Sequence, residues 1–159
     1  MRSLGVIDVL LETASAGQYP FPMSTLTLDE LRAFLAREFP QIEGSYAVES
    51  AEPMRARMRL LSGERHLRPG GTISGPAMFG LADVALYAAI LASIGAVGLA
   101  VTTNLNINFL RKPAPVDLIG EARLLKLGKR LAVGEVSIFE SAGEDLVAHA
   151  TGTYSIPPR

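Results

Sequence analysis

Two periodicities divide the chain. From Leu28 the apolar residues Leu28, Leu31, Phe34, Leu35 and Phe39 return at helical spacing until Pro40. One face of a helix is therefore predicted, opened by Thr27 and Glu30 at the spacing of a capping box. A shorter helix is expected before it, over Leu4 to Thr13, ended by the loop from Gly17 to Pro22. After Ser45 the period falls to two. Met54, Ala56, Met58 and Leu60 alternate with Arg55, Arg57 and Arg59, the mark of a half-buried strand. Gly70 and Gly71 then lead into Gly75 to Ser93, apolar on nearly every side, with Pro76 suited to the first turn of a helix. Further strands are predicted at about Val97 to Leu110, Val116 to Leu127, Arg130 to Glu140 and Asp145 to Ile156. In the first of these, Leu105, Ile107 and Phe109 alternate with Asn104, Asn106 and Asn108. Gly128-Lys129 and Ala142-Gly143 supply tight turns. Strand, strand, long buried helix and four strands describe an α+β chain: one antiparallel sheet wrapped around one helix.

Composition adds limits to that picture. A chain of 159 residues suits a single domain, read here as a helical extension over residues 1–42 and a core over 43–157. A hydrophobic fraction of 48% is high enough to suggest apolar surface hidden in a homo-oligomer, a dimer or a dimer of dimers. A net charge of −1 supplies no field for nucleic acid or anionic membrane. The absence of cysteine excludes disulfides, thiolate catalysis and sulfur-ligated metals. Only His66 and His149 remain as histidine ligands, far apart and without a spaced acidic partner, so neither metal nor cofactor is expected. Val84 to Val101 is uncharged and approaches a membrane span in length. It is rich in alanine, however, and breaks at Gly95 and Gly98 with no close basic flank. Asp8 and Glu12 likewise interrupt what would be the apolar core of a signal peptide. A cytoplasmic protein is the expectation.

One residue stands out within the apolar helix. Asp83 is the only charged side chain between Arg68 and Arg111. Burying a carboxylate costs several kcal/mol, on the order of 2 or more, unless it is paired or used. Asp83 is either the centre of a chemical site or a structural acid bonded to Thr102 or Thr103.

Particular residues then resemble the hotdog-fold acyl-CoA thioesterases of the PaaI-like group, over about Ser45 to Ile156. They are Gly70-Gly71 and Ser74-Gly75-Pro76 leading to Asp83, then Asn106-Ile107-Asn108-Phe109-Leu110-Arg111, and Leu127-Gly128-Lys129-Arg130. The resemblance implies that Asp83 is the family's carboxylate, acting as nucleophile or as general base on water. It makes Gly75 the glycine whose N–H polarises the thioester carbonyl, and Thr102 the hydroxyl that helps hold water or acid. Two positions depart from the family pattern: Arg68 stands where an asparagine is usual, and Ser74 where a histidine is. These departures favour the alternative of a non-catalytic hotdog module that binds acyl-CoA or another acyl ligand. A hydratase of the same fold pairs its acid with a nearby histidine, and none follows Asp83 until His149.

Chemistry and distance bear on the same residues. Thioester hydrolysis needs an activated nucleophile and a donor aimed at the developing oxyanion. A helix N-terminus offers free N–H groups, and Pro76 removes one of them, which leaves Gly75 more important. Asp83 lies about 12 Å further along the same helix at roughly 1.5 Å per residue. One chain therefore cannot bring both groups to one carbon, and a two-fold dimer can. Arg68, Ser74, Pro76, Met78 and Phe79 are the candidate neighbours of the acyl group at the helix start. Arg111 with Lys112, and Lys129 with Arg130, are the candidate partners of the coenzyme A phosphates. Coenzyme A enters as part of the substrate, not as a cofactor.

Overall fold

The computed structural model describes residues 25–158; the helix expected over Leu4 to Thr13 and the loop from Gly17 to Pro22 lie outside the described residues. Helix α1 (Leu28–Glu38) opens on the expected capping box. The Thr27 hydroxyl accepts the Glu30 N–H while the Glu30 carboxylate accepts the Thr27 N–H. Leu31, Phe34 and Leu35 form its buried face. A 3-10 turn at Pro40–Ile42 follows, and then the hairpin of β1 (Tyr46–Glu52) and β2 (Arg55–Leu60). Met54 does not continue β2 as its alternation suggests. It turns the hairpin at φ 71°, and its N–H is bonded to the Ser93 hydroxyl at 2.7 Å.

Helix α2 (Gly75–Ile94) is the axis of the fold. Fifteen of its twenty residues are buried, which is why its sequence shows no amphipathic stripe. It is long and apolar enough to cross a membrane, but 83% of that window is buried among the other elements, so it is a core helix. Gly95, at φ 89°, closes it with an N–H bond to the Leu91 carbonyl. The turn through Val97 delays the next strand to Val101, four residues later than its apolar pattern suggests. Strands β3 (Val101–Phe109), β4 (Leu118–Leu127), β5 (Leu131–Glu140) and β6 (Leu146–Ser155) complete a six-stranded antiparallel sheet in the order β1-β2-β4-β5-β6-β3. The sheet wraps around α2 in the hotdog arrangement.

Two glycines let the helix come close. Gly134 of β5 and Gly152 of β6 lie opposite each other, and both face Leu86. The other face of the sheet is charged. Arg57 and Arg59 bridge Glu49, Glu121 and Asp117, while Glu135 joins Arg123 to His149. Arg57 and Arg59 of the arginine stripe thus belong to a half-buried ion-pair lattice, while Arg55 is exposed outside it; surface pairs of this type are worth little to stability pair by pair.

Candidate active site

Asp83 lies on α2 where the helix passes β3 and β6. The register pairs Thr102 with Tyr154 across these strands, so their side chains share one face of the sheet. A bulge between Thr102 and Asn104 sets that face. Leu105 and Ile107 pack against the core, so without the extra residue Thr102 would fall in phase with the outward asparagines. With the bulge, Thr102 points at α2. Its hydroxyl donates to Asp83 Oδ1 at 2.6 Å, and the Tyr154 hydroxyl donates to the same oxygen at 2.5 Å. The Tyr154 hydroxyl also lies 2.8 Å from the Asp83 carbonyl oxygen.

Among the described residues, none donates to Oδ2. Asp83 borders a cavity of about 350 Å³ whose lining includes Glu38, Phe39, Tyr87, Thr102 and Tyr154. The carboxylate is half-buried rather than walled in by apolar groups, because β3 and β6 bring hydroxyls to it. Behind it Tyr154 stacks on Tyr87 at 6.3 Å, and Phe39 meets Tyr87 edge-on at 6.2 Å. The Tyr87 hydroxyl is bonded to the Gly98 carbonyl at 3.0 Å. Burial, then the Asp83 charge and the hydrogen bond to it, push the Tyr154 phenol far above the usual tyrosine range. It therefore remains a donor at every ordinary pH.

The other end of α2 forms a second group. The Ser74 hydroxyl caps the helix by accepting the Ala77 N–H at 3.2 Å. Gly75, as the first helical residue, has no intrahelical partner for its own N–H. The Phe109 ring stands 3.2 Å from the position a Cβ would take there. Pro76 and Phe79 are exposed beside it, whereas Met78 points into the core at 4% exposure. Arg68 sits in the preceding turn, where its N–H is bonded to the Thr72 carbonyl.

The basic candidates are divided between the two ends of the sheet. Arg111, in an ion pair with Asp145 at 3.1 Å, and Lys112 follow β3 on the Phe109 side. Lys129 and Arg130 are exposed in the β4–β5 turn, on the Thr102 side. One chain thus brings together Asp83 and Thr102, and separately Ser74, Gly75, Pro76 and Phe79. Sequence reasoning missed Tyr154, Tyr87, Phe39 and Glu38. The alternation of β6 puts Tyr154 on the inner face, but only the register places it over Asp83.

The profile of the thioesterase superfamily matches residues 70–147. A candidate thioesterase of known structure from a Silicibacter species is 51% identical, covering 86% of this chain and 94% of that one, with a TM-score of 0.78. A single-site variant of the phenylacetic acid degradation protein PaaI from Thermus thermophilus is 26% identical over 74% of this chain and 99% of its own, with a TM-score of 0.64. A candidate esterase from Saccharolobus solfataricus is 29% identical over 131 residues, 82% of this chain and 80% of its own. The antiparallel sheet around α2, the ordered glycines before it and these likenesses agree: the chain is a hydrolase of thioester bonds and belongs to the thioesterase superfamily.

Proposed function

We propose that the protein hydrolyses acyl-CoA thioesters to a carboxylic acid and free coenzyme A, with Asp83 as the reacting carboxylate. The observation that carries this reading is the carboxylate itself, held on one oxygen by Thr102 and Tyr154 and, among the described residues, without a donor on the other, beside a cavity. Acting as base, Asp83 takes a proton from water as the water oxygen bonds to the thioester carbon. The C–S bond then breaks, and the proton passes to the departing sulfur. Acting as nucleophile, the carboxylate oxygen bonds the thioester carbon, the C–S bond breaks to release the coenzyme A thiolate, and water then cleaves the resulting anhydride, giving the free acid, the restored carboxylate and a proton for the thiolate. The Gly75 N–H at the positive end of α2 is suited to the carbonyl oxygen in either case. No cofactor takes part.

The two groups meet only across a dimer. Leu105 is the middle residue of β3, and β3 is an edge strand. Antiparallel pairing of two β3 strands about a two-fold axis at Leu105 sets the Thr102 end of each against the Phe109 end of the other. Asp83 is bonded to Thr102, and Gly75 lies against Phe109. Each carboxylate therefore faces its partner's helix start, with Ser74, Pro76 and Phe79 around the acyl group. The same symmetry places Lys129 and Arg130 of one protomer at the end of the shared sheet where the partner contributes Arg111 and Lys112, a basic rim for the coenzyme A phosphates. We place the protein in the cytoplasm.

A thiol-release assay across short, long and aromatic acyl-CoA donors tests the reading. Wild type should turn over at least one class, and Asp83→Asn should lose about 10²–10⁴-fold in kcat. Binding of acyl-CoA by both proteins with hydrolysis by neither would refute acyl-CoA as the substrate and leave it a bound ligand.

A further inference from the structure

We propose that Tyr154 is a positioning residue for this reaction, holding Asp83 Oδ1 in place so that Oδ2 is the oxygen that reacts. The inference rests on the thioesterase reading and adds to it the division of labour within the carboxylate. Both hydroxyl donors, at 2.5 and 2.6 Å, converge on Oδ1. Turning the carboxylate to exchange its oxygens would break both bonds at once.

Tyr154 is well placed for that task. A phenol has one proton to give, and the arm to Oδ1 is shorter than the one to the Asp83 carbonyl, so that proton goes to the carboxylate. The phenol is itself fixed, at 3% exposure, by its stack on Tyr87. It cannot move away without opening the cavity wall. The titratable groups around Asp83 are Tyr154 from β6, Tyr87 on its own helix, Tyr46 from β1 and Glu38 at the end of α1. None is a cation. The donors on Oδ1 are thus the only direct partners of the charge among the described residues.

A holding role makes kcat fall without a matching change in binding. Tyr154→Phe should lower kcat about 10- to 100-fold with KM within about 2-fold of wild type. In the Asp83→Asn background the same change should alter the residual rate less than about 2-fold, because the group it acts through is gone. An equal loss in both backgrounds, or a loss confined to KM, overturns the proposal.

Should Tyr154→Phe fail to fold, the hydroxyl-proton NMR resonance of Tyr154 at neutral pH still decides. It should lie far downfield in wild type, as a short bond to a carboxylate requires, and move upfield in Asp83→Asn, and an unmoved resonance refutes the contact. Wild-type turnover by Asp83→Asn is a different result. It removes Asp83 from the chemistry and so overturns the reading beneath the proposal.

Discussion

Gly134→Ala tests how closely the sheet must approach α2 for the site to exist. Neither Gly134 nor Gly152 has a left-handed backbone, so an added methyl meets only packing. At Gly134 the new Cβ would lie 2.6 Å from Leu86 Cδ2, 2.9 Å from the Arg123 carbonyl oxygen and 3.1 Å from Leu124 Cδ2. At Gly152 it would meet Leu105 Cδ1 and Leu86 Cδ1, both at 2.7 Å, with the Asn104 carbonyl at 3.3 Å. Comfortable carbon contacts begin near about 3.5 Å. Methyl ends can turn aside, but the Arg123 carbonyl belongs to the β4–β5 ladder and cannot.

Overpacking of this kind costs about 1–3 kcal/mol. Reduced freedom of the unfolded chain returns about 0.4–1 kcal/mol. The net loss for Gly134→Ala is then about 1–2 kcal/mol, or about 2–8 °C in Tm at roughly 2–4 °C per kcal/mol. Gly152→Ala, relieved by side-chain rotation, should lose less than half of that. Leu86 is one helical turn beyond Asp83, so a helix lifted from β5 and β6 also stretches the 2.5 Å contact between Tyr154 and the carboxylate. Thermal unfolding followed by circular dichroism, with turnover at 25 °C on the same samples, measures both effects. A rise in Tm for Gly134→Ala, or equal losses at the two glycines, refutes the close-approach argument.

Two further outcomes follow from the same contacts. The phenols of Tyr46, Tyr87 and Tyr154 are all raised, chiefly by burial, so the folded state holds their protons more tightly than the unfolded one. Their stabilisation is complete below the unfolded value of about 10 and is lost as pH climbs above it; the denaturant midpoint should hold level up to about pH 10 and then fall, less steeply in Asp83→Asn, and a constant midpoint through about pH 11 would contradict this. Thr27→Ala removes the hydroxyl that caps α1 by accepting the Glu30 N–H, and should lower Tm by about 2–4 °C; an unchanged melting curve would show that α1 is held by its apolar face alone.

The fold was legible because burial and period coincide in this sequence. A twenty-residue helix with a single charge can only be a core or a membrane element, and strands of alternating polarity on both sides of it supply the core. The errors fell where backbone conformation overrides pattern. Met54 continues the alternation of β2 but sits at positive φ, and Val97 is apolar yet lies in the turn after Gly95. The site was half legible. Asp83 announced itself by isolation, and Thr102 entered through the family resemblance. Tyr154 did not, since one aromatic in a strand of ten looks like packing. Its role depends on a register and a bulge, and both are properties of pairing between strands far apart in the chain.

The two edges of the sheet are treated differently, and the difference bears on how the site is built. At β1 the edge carries a bulge between Val48 and Ser50, and α1 covers it, with the Arg32 guanidinium donating to the Val48 carbonyl. At β3 nothing among the described residues covers the edge. Val101 and Phe109 are more than half exposed, and the strand holds neither proline nor charge over its nine residues. A long edge of that kind invites pairing unless it is blunted. Its bulge is confined to the first three residues, leaving Leu105 to Phe109 regular. The uncovered edge is also the strand that delivers the Thr102 hydroxyl and touches Gly75. In the proposed dimer, the contact that satisfies the edge therefore completes the site. A lone protomer would keep the carboxylate and its two hydroxyls but have no amide within reach of the same carbon.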